Sequence, residues 1–104
     1  MIIRIDPDSS VPIFEQIVAE VKAAVARGAC AAGEMVPSVR QMATQVLVNP
    51  NTVARAYREL EREGIVYTRK GLGVFISDAA VKLSRTDRSD EVQRRLNDLV
   101  AEAR

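Results

Sequence analysis

The apolar positions of the chain fall into three helical runs followed by an alternating one. In the first, Ile13, Phe14, Ile17, Val18, Val21, Ala24 and Val25 recur at three- and four-residue spacing. A helix starting near Pro12 therefore buries one stripe and turns Gln16, Glu20 and Lys22 to water, and Gly28 ends it. A connector follows from Ala29 to Val36, with a turn at Gly33-Glu34. The second run is Val39, Met42, Ala43 and Val46. Ser38 stands before it and Gln41 three residues on, the spacing of a capping box. The third run is Val53, Ala56, Tyr57 and Leu60. Asn49 suits its N-cap, and Pro50 suits its first position, where the missing N–H would have gone unpaired. Gly64 can close it in the left-handed conformation.

Beyond Gly64 the period changes to two. Ile65–Arg69 and Val74–Ser77 are β-rich runs, and Lys70-Gly71-Leu72-Gly73 joins them as a hairpin with a basic, glycine-rich tip. Met1–Ile5 reads as a short strand with Ile3 and Ile5 on one face, and Asp6–Ser10 as a turn or loop. Helix, helix, turn, helix, hairpin predicts a winged helix-turn-helix over residues 1–77, mainly α with a small β-hairpin. Residues 78–104 form a short helical tail in this reading. Val81 and Leu83 lie in polar surroundings. From Ser89, Val92, Leu96, Leu99, Val100 and Ala103 recur at helical spacing. So narrow a stripe packs back on the core or pairs with a second chain. Pairing is favoured, because the winged unit has its own core. Leu83, Val92, Leu96, Leu99 and Val100 are the expected dimerisation residues.

The face of the third helix opposite its apolar stripe carries Asn51, Arg55, Arg58 and Arg62, flanked by Thr52 and Glu59. Arg forks onto guanine edges, Asn onto adenine edges, and either holds phosphate. The competing reading is a solvated surface with local ion pairs, such as Arg55 with Glu59, Arg58 with Glu61 or Arg62 with Glu59. Net charge is +1 and does not decide. Its distribution says more. Residues 1–35 hold three basic and five acidic groups (3 − 5 = −2), residues 36–77 six and three (6 − 3 = +3), and residues 78–104 six and six (6 − 6 = 0). The positive excess coincides with the helix pair and the hairpin, where Arg69 and Lys70 could lie along a DNA backbone or enter a minor groove.

Composition removes other functions. At 104 residues, 47% hydrophobic and 28% charged, the chain reads as one soluble globular domain with an appendage. There is no His, and Cys30 is the only cysteine, so neither an internal disulfide nor a Cys/His metal site is expected. No cofactor is expected, and no Ser, Cys or carboxylate pair stands in a catalytic setting, which argues against an enzyme. Cys30 reads as a small apolar residue of the connector. The N-terminus lacks the apolar core of a signal peptide and no run reaches membrane-spanning length, so a cytoplasmic protein without a membrane partner is expected.

Four segments, VPIFEQI, GEMVPSVRQMA, VNPNTVARAYRELEREG and TRKGLGVFI, stand in an order and spacing that resemble the DNA-binding domain of the GntR family of bacterial transcription regulators. The resemblance runs from Val11 to Ser77. NPNTV and the short tail look most like the YtrA-type branch, which carries a small helical extension. The resemblance implies a sequence-specific DNA-binding regulator, a homodimeric repressor on a two-fold operator. It implies a DNA contact from the Arg of the PS-x-R segment, here Arg40; Ser38, the cap of the same helix, is counted with it among the expected DNA-binding residues. It also implies contacts from the start of the recognition helix, here Asn49, Asn51 and Thr52. The wing tip, Lys70 and Gly71, would reach the minor groove. The reading of the residues adds Arg55, Arg58 and Arg69, with Arg62 weakest because it lies far from the helix start. Val36 and Phe14 depart from the usual Leu and Tyr, both apolar exchanges. A small-molecule effector stays open, but residues 78–104 offer no effector domain. The alternative function is a winged-helix interaction module without DNA binding. Such a face would carry apolar or aromatic anchors where this one carries Arg and Asn.

Overall fold

The computed structural model describes residues 1–81 of the chain. Helix α1 spans Ile13–Ala26, α2 Val39–Val46 and α3 Pro50–Arg62; strands β1, Val66–Arg69, and β2, Gly73–Ile76, follow. The core is built from one side of each element. Ile17 and Val21 of α1, Met42 of α2, Val53 and Leu60 of α3 and Ile76 of β2 are each at most 1% exposed. Among the described residues no charged or polar side chain is buried with them. Burial of apolar area therefore holds the helices together.

The helix ends follow the sequence signals. The Gln41 N–H donates to Ser38 Oγ at 3.1 Å, and the Ser38 N–H donates to Gln41 Oε1 at 2.9 Å. That reciprocal box satisfies donors that would otherwise be unpaired at the start of α2. Asn49 caps α3 through Oδ1, which accepts from the Asn51 N–H at 2.8 Å. Gly64 leaves α3 with φ +77°, and the Ile65 N–H returns to the Leu60 carbonyl. The end of α2 breaks the pattern. Leu47 has φ +56° and is the one non-glycine residue with positive φ among the described residues. It lets the Val48 N–H reach the Ala43 carbonyl, while its own side chain is 89% exposed. An L-residue in that region carries about 1–2 kcal/mol of steric cost. Leu47→Gly is expected to stabilise the domain by about 0.5–1 kcal/mol, since glycine's extra freedom in the unfolded chain returns part of the gain. Paired thermal melts check this; an unchanged or lower midpoint would show that the leucine earns its place by a contact.

The hairpin pairs Val66 with Ile76, Tyr67 with Phe75, Thr68 with Val74 and Arg69 with Gly73. The Tyr67 and Phe75 rings stack across it, centroids 5.6 Å apart. At the tip the Leu72 N–H donates to the Arg69 carbonyl, and Gly71 takes φ +79°, a turn position that a side chain would strain.

Two expectations change. Met1–Ile5 forms no strand; it runs as irregular chain, with Ile3 and Ile5 half-buried against the core. The outer edge of β2 is already occupied by the connector. The Gly33 N–H donates to the Ile76 carbonyl, the Ile76 N–H to the Glu34 carbonyl and the Val36 N–H to the Val74 carbonyl, at 2.8–2.9 Å. Nor is Gln16 simply solvated. Its amide oxygen accepts from the Asp6 N–H, and its nitrogen donates to the Asp6 and Val11 carbonyls, so it staples the loop before α1. Residues 78–81 begin a helical turn that buries Ala80, with its N–H on Ser77 Oγ. The expected dimerisation residues Leu83, Val92, Leu96, Leu99 and Val100 lie outside the described residues.

Candidate nucleic-acid interface

Three pieces of the fold present exposed groups able to meet an acidic ligand. The first is the start of α2. Ser38 uses Oγ as an acceptor for the cap, which leaves its hydroxyl proton free to donate. Arg40, two residues on, is exposed and has no ion-pair partner among the described residues. Free N–H groups and the helix dipole favour an anion here.

The second piece is the start of α3. Asn49 commits its side-chain oxygen to the cap, which leaves the NH₂ group as a donor. Asn51 is exposed and its side chain makes no hydrogen bond among the described residues, so its full amide edge is available. Thr52 beside it is half-buried. The third piece is the hairpin tip. Arg69, Lys70 and Gly71 are all exposed. The Arg69 guanidinium lies 5.7 Å from the Tyr67 ring centroid, and Lys70 has no partner among the described residues.

The structure divides the polar stripe of α3. Arg55, Arg58 and Arg62 do not share the setting of Asn51. They line an open cleft of about 770 Å³ between α1 and α3, together with Phe14, Val18 and Lys22. The Arg55 guanidinium sits 3.8 Å above the Phe14 ring, a cation–π contact. Arg62 pairs with Glu59, and Lys22 with Glu63. The Arg62 hydrogen bond holds the Glu59 carboxyl below its ordinary range, and the same bond raises Arg62. Arg62 is exposed and Glu59 half-buried at the surface, so the pair adds little to stability. α1 packs against one flank of α3, so residues opposite the apolar stripe in projection are not all equally open.

Sequence reasoning missed the Tyr57 hydroxyl. Tyr57 belongs to the apolar stripe and is 6% exposed, yet its hydroxyl donates to the Pro37 carbonyl at 2.6 Å. A tyrosine rather than leucine in a buried stripe is the available signal, because a buried phenol needs a partner. Burial pushes this hydroxyl well above its ordinary value, so it remains a donor throughout the physiological range. Cys30 is buried, and burial, with Glu34 beside it, raises its thiol. Among the described residues no cluster of His, Cys, Asp and Glu could hold a metal ion, and no helix is long and apolar enough to cross a membrane.

Three helices with a tight turn between the last two, completed by a two-stranded wing, make this a winged helix-turn-helix protein. Residues 13–76 match the family described as bacterial regulatory proteins, gntR family, and the chain belongs to that family of DNA-binding transcriptional regulators. It is 43% identical over 101 residues to the HTH-type transcriptional repressor YtrA of Bacillus subtilis (strain 168), covering 97% of this chain and 78% of that one. It is 49% identical over 72 residues to the uncharacterized HTH-type transcriptional regulator YhcF of the same organism, covering 69% and 60%. Among solved structures, YtrA from Sulfolobus acidocaldarius, a GntR-family transcription factor, superposes with a TM-score of 0.72 at 30% identity, over 93% of this chain and 99% of that one. AraR(DBD) in complex with operator ORX1 superposes with a TM-score of 0.65 over 74% of this chain and 96% of that one; at 20% identity this shows the fold alone.

Proposed function

We propose that the chain is a homodimeric repressor that grips a two-fold operator with the starts of α2 and α3 and with the wing tip. Residues 1–77 are the DNA-binding unit in this reading, and residues 78–104 the dimerisation element. The observation that carries it is the clustering of exposed, unpartnered donors at those three places, Arg40, Asn51 and Lys70, while Lys22, Arg55 and Arg62 of the neighbouring cleft are engaged with Glu63, Phe14 and Glu59. Ser38, Asn49, Thr52, Arg69 and Gly71 complete the contact. Asn51 reads base edges, Arg40 and Lys70 hold phosphate, and Arg55 and Arg58 contribute field from the flank.

Repression is supported by the relative of 43% identity, which is a repressor. Dimerisation is supported by the apolar stripe Val92, Leu96, Leu99 and Val100 with Leu83, and by the few base pairs that one recognition helix can read. A protein of this kind works in the cytoplasm, where its DNA is.

Selection of duplexes from a random DNA pool by the full chain tests the reading. Recovered sequences should contain two inverted half-sites about one helical turn, or a multiple of it, apart. Affinity for them should fall steeply with salt, about −0.9 in the log–log slope for each phosphate neutralised, and Lys70→Ala should flatten that slope slightly for every sequence alike. A flat salt response, or enrichment of no common sequence, would contradict it.

A further inference from the structure

The segment just before α2 is tied on both sides. Toward the wing, Glu34 and Val36 pair with β2 through the Ile76 N–H and the Val74 carbonyl, each at 2.9 Å. Toward the recognition helix, the Pro37 carbonyl accepts from the Tyr57 hydroxyl at 2.6 Å. Pro37 immediately precedes Ser38, the N-cap of α2, and Arg40 follows in the first turn of that helix. Tyr57 is rooted in the middle of α3, 6% exposed, among the core that includes Met42, Val53 and Leu60.

We infer that Tyr57 is a positioning residue for DNA binding: its hydroxyl fixes the start of α2, and with it Arg40, relative to the recognition helix. The inference rests on the interface proposed above. The chemistry is specific. Without the hydroxyl, the partly buried Pro37 carbonyl loses its partner and must seek water, which draws the α2 start away from α3. Apolar packing of the ring alone would keep the helices together, but it does not fix their register, because dispersion contacts are non-directional while a hydrogen bond is aligned. Two helix starts that must meet one DNA surface together need that alignment.

Tyr57→Phe keeps the ring and removes only the hydroxyl. Binding of the full chain to a duplex selected from a random pool by the wild type is measured for Tyr57→Phe, Arg40→Ala and the double variant. Tyr57→Phe is expected to weaken binding about tenfold, and to add little once Arg40 is already alanine, because the two substitutions remove the same contact. The salt slope should drop by about one phosphate in Tyr57→Phe as in Arg40→Ala, a change that loss of stability alone would not produce. If Arg40→Ala weakens binding and Tyr57→Phe multiplies with it, the interface stands and the positioning role is overturned. If Arg40→Ala binds as the wild type does, the interface itself is wrong and the positioning role falls with it. Should Tyr57→Phe not fold, hydrogen exchange of the wild type decides. The Gln41 and Met42 amides, which bond to Ser38, should then be protected as strongly as those around Leu60. Rapid local exchange there would overturn the role.

Discussion

Leu60→Ala is expected to cost about 3 kcal/mol of stability, within the usual range for removing a buried leucine. Leu60 is 1% exposed and lies in the part of α3 that faces both the other helices and the wing. Its carbonyl also receives the Ile65 N–H that turns the chain into β1. The cavity cannot collapse easily, because α1, α2 and the hairpin all lean on the same helix. Small domains hold only about 5 kcal/mol or somewhat more in reserve, so the variant should lose more than half of a reserve of about 5 kcal/mol and melt at a markedly lower temperature while still folding at about 25 °C. Leu60→Met nearly conserves volume and should cost less than about 1.5 kcal/mol. Urea unfolding of the three proteins measures both. A loss under about 1 kcal/mol for the alanine variant would mean that the core is not centred on α3.

The second large effect is on affinity. Arg40→Ala and Asn51→Ala should each weaken binding to a selected duplex by about 1–3 kcal/mol, roughly fivefold to somewhat over a hundredfold. Neither should alter the fold, because both side chains are exposed and hold nothing else in place. Asn51→Ala should also relax the preference at one base position, whereas Arg40→Ala should weaken all sequences more evenly if it holds phosphate. Arg55→Ala should matter less, since its guanidinium already rests on Phe14 and serves the α1–α3 contact. Fluorescence anisotropy, with circular dichroism as the check on folding, orders the three. Arg55→Ala as the most damaging would shift the interface to the cleft between α1 and α3.

Where local chemistry decides, the chain is legible from its residues. Ser38 and Gln41 close the box that their spacing predicts, and Asn49-Pro50 starts α3 where a cap and a donor-free residue belong. Gly64 and Gly71 take the left-handed backbone that their turns require. What escaped depends on partners distant in the chain. The period-two run Met1–Ile5 looks like a strand, but the strand edge of β2 goes to Gly33–Val36, a segment with no periodicity to announce it. Gln16 sits on a polar helix face and is still engaged, because the loop folded over it supplies three backbone partners. The row of arginines on α3 is sound as a pattern; the packing of α1 beside α3, which no spacing encodes, places Arg55, Arg58 and Arg62 along the cleft and leaves Asn51 outside it. Leu47 shows the limit from the other side. Its type gives no hint of a left-handed backbone, which it takes as the C-cap of α2, where the turn to α3 begins.

Amide hydrogen exchange of the full chain, with and without a selected duplex, tests the central claim most directly. The free-protein map is set by burial and helix bonding; the difference map reports what DNA covers. Protection is expected at residues 38–41, 49–52 and 69–72, the starts of α2 and α3 and the wing tip, with little change along the solvent face of α1. Protection concentrated instead on α1 and on residues 58–63, with the wing tip unchanged, would contradict the interface.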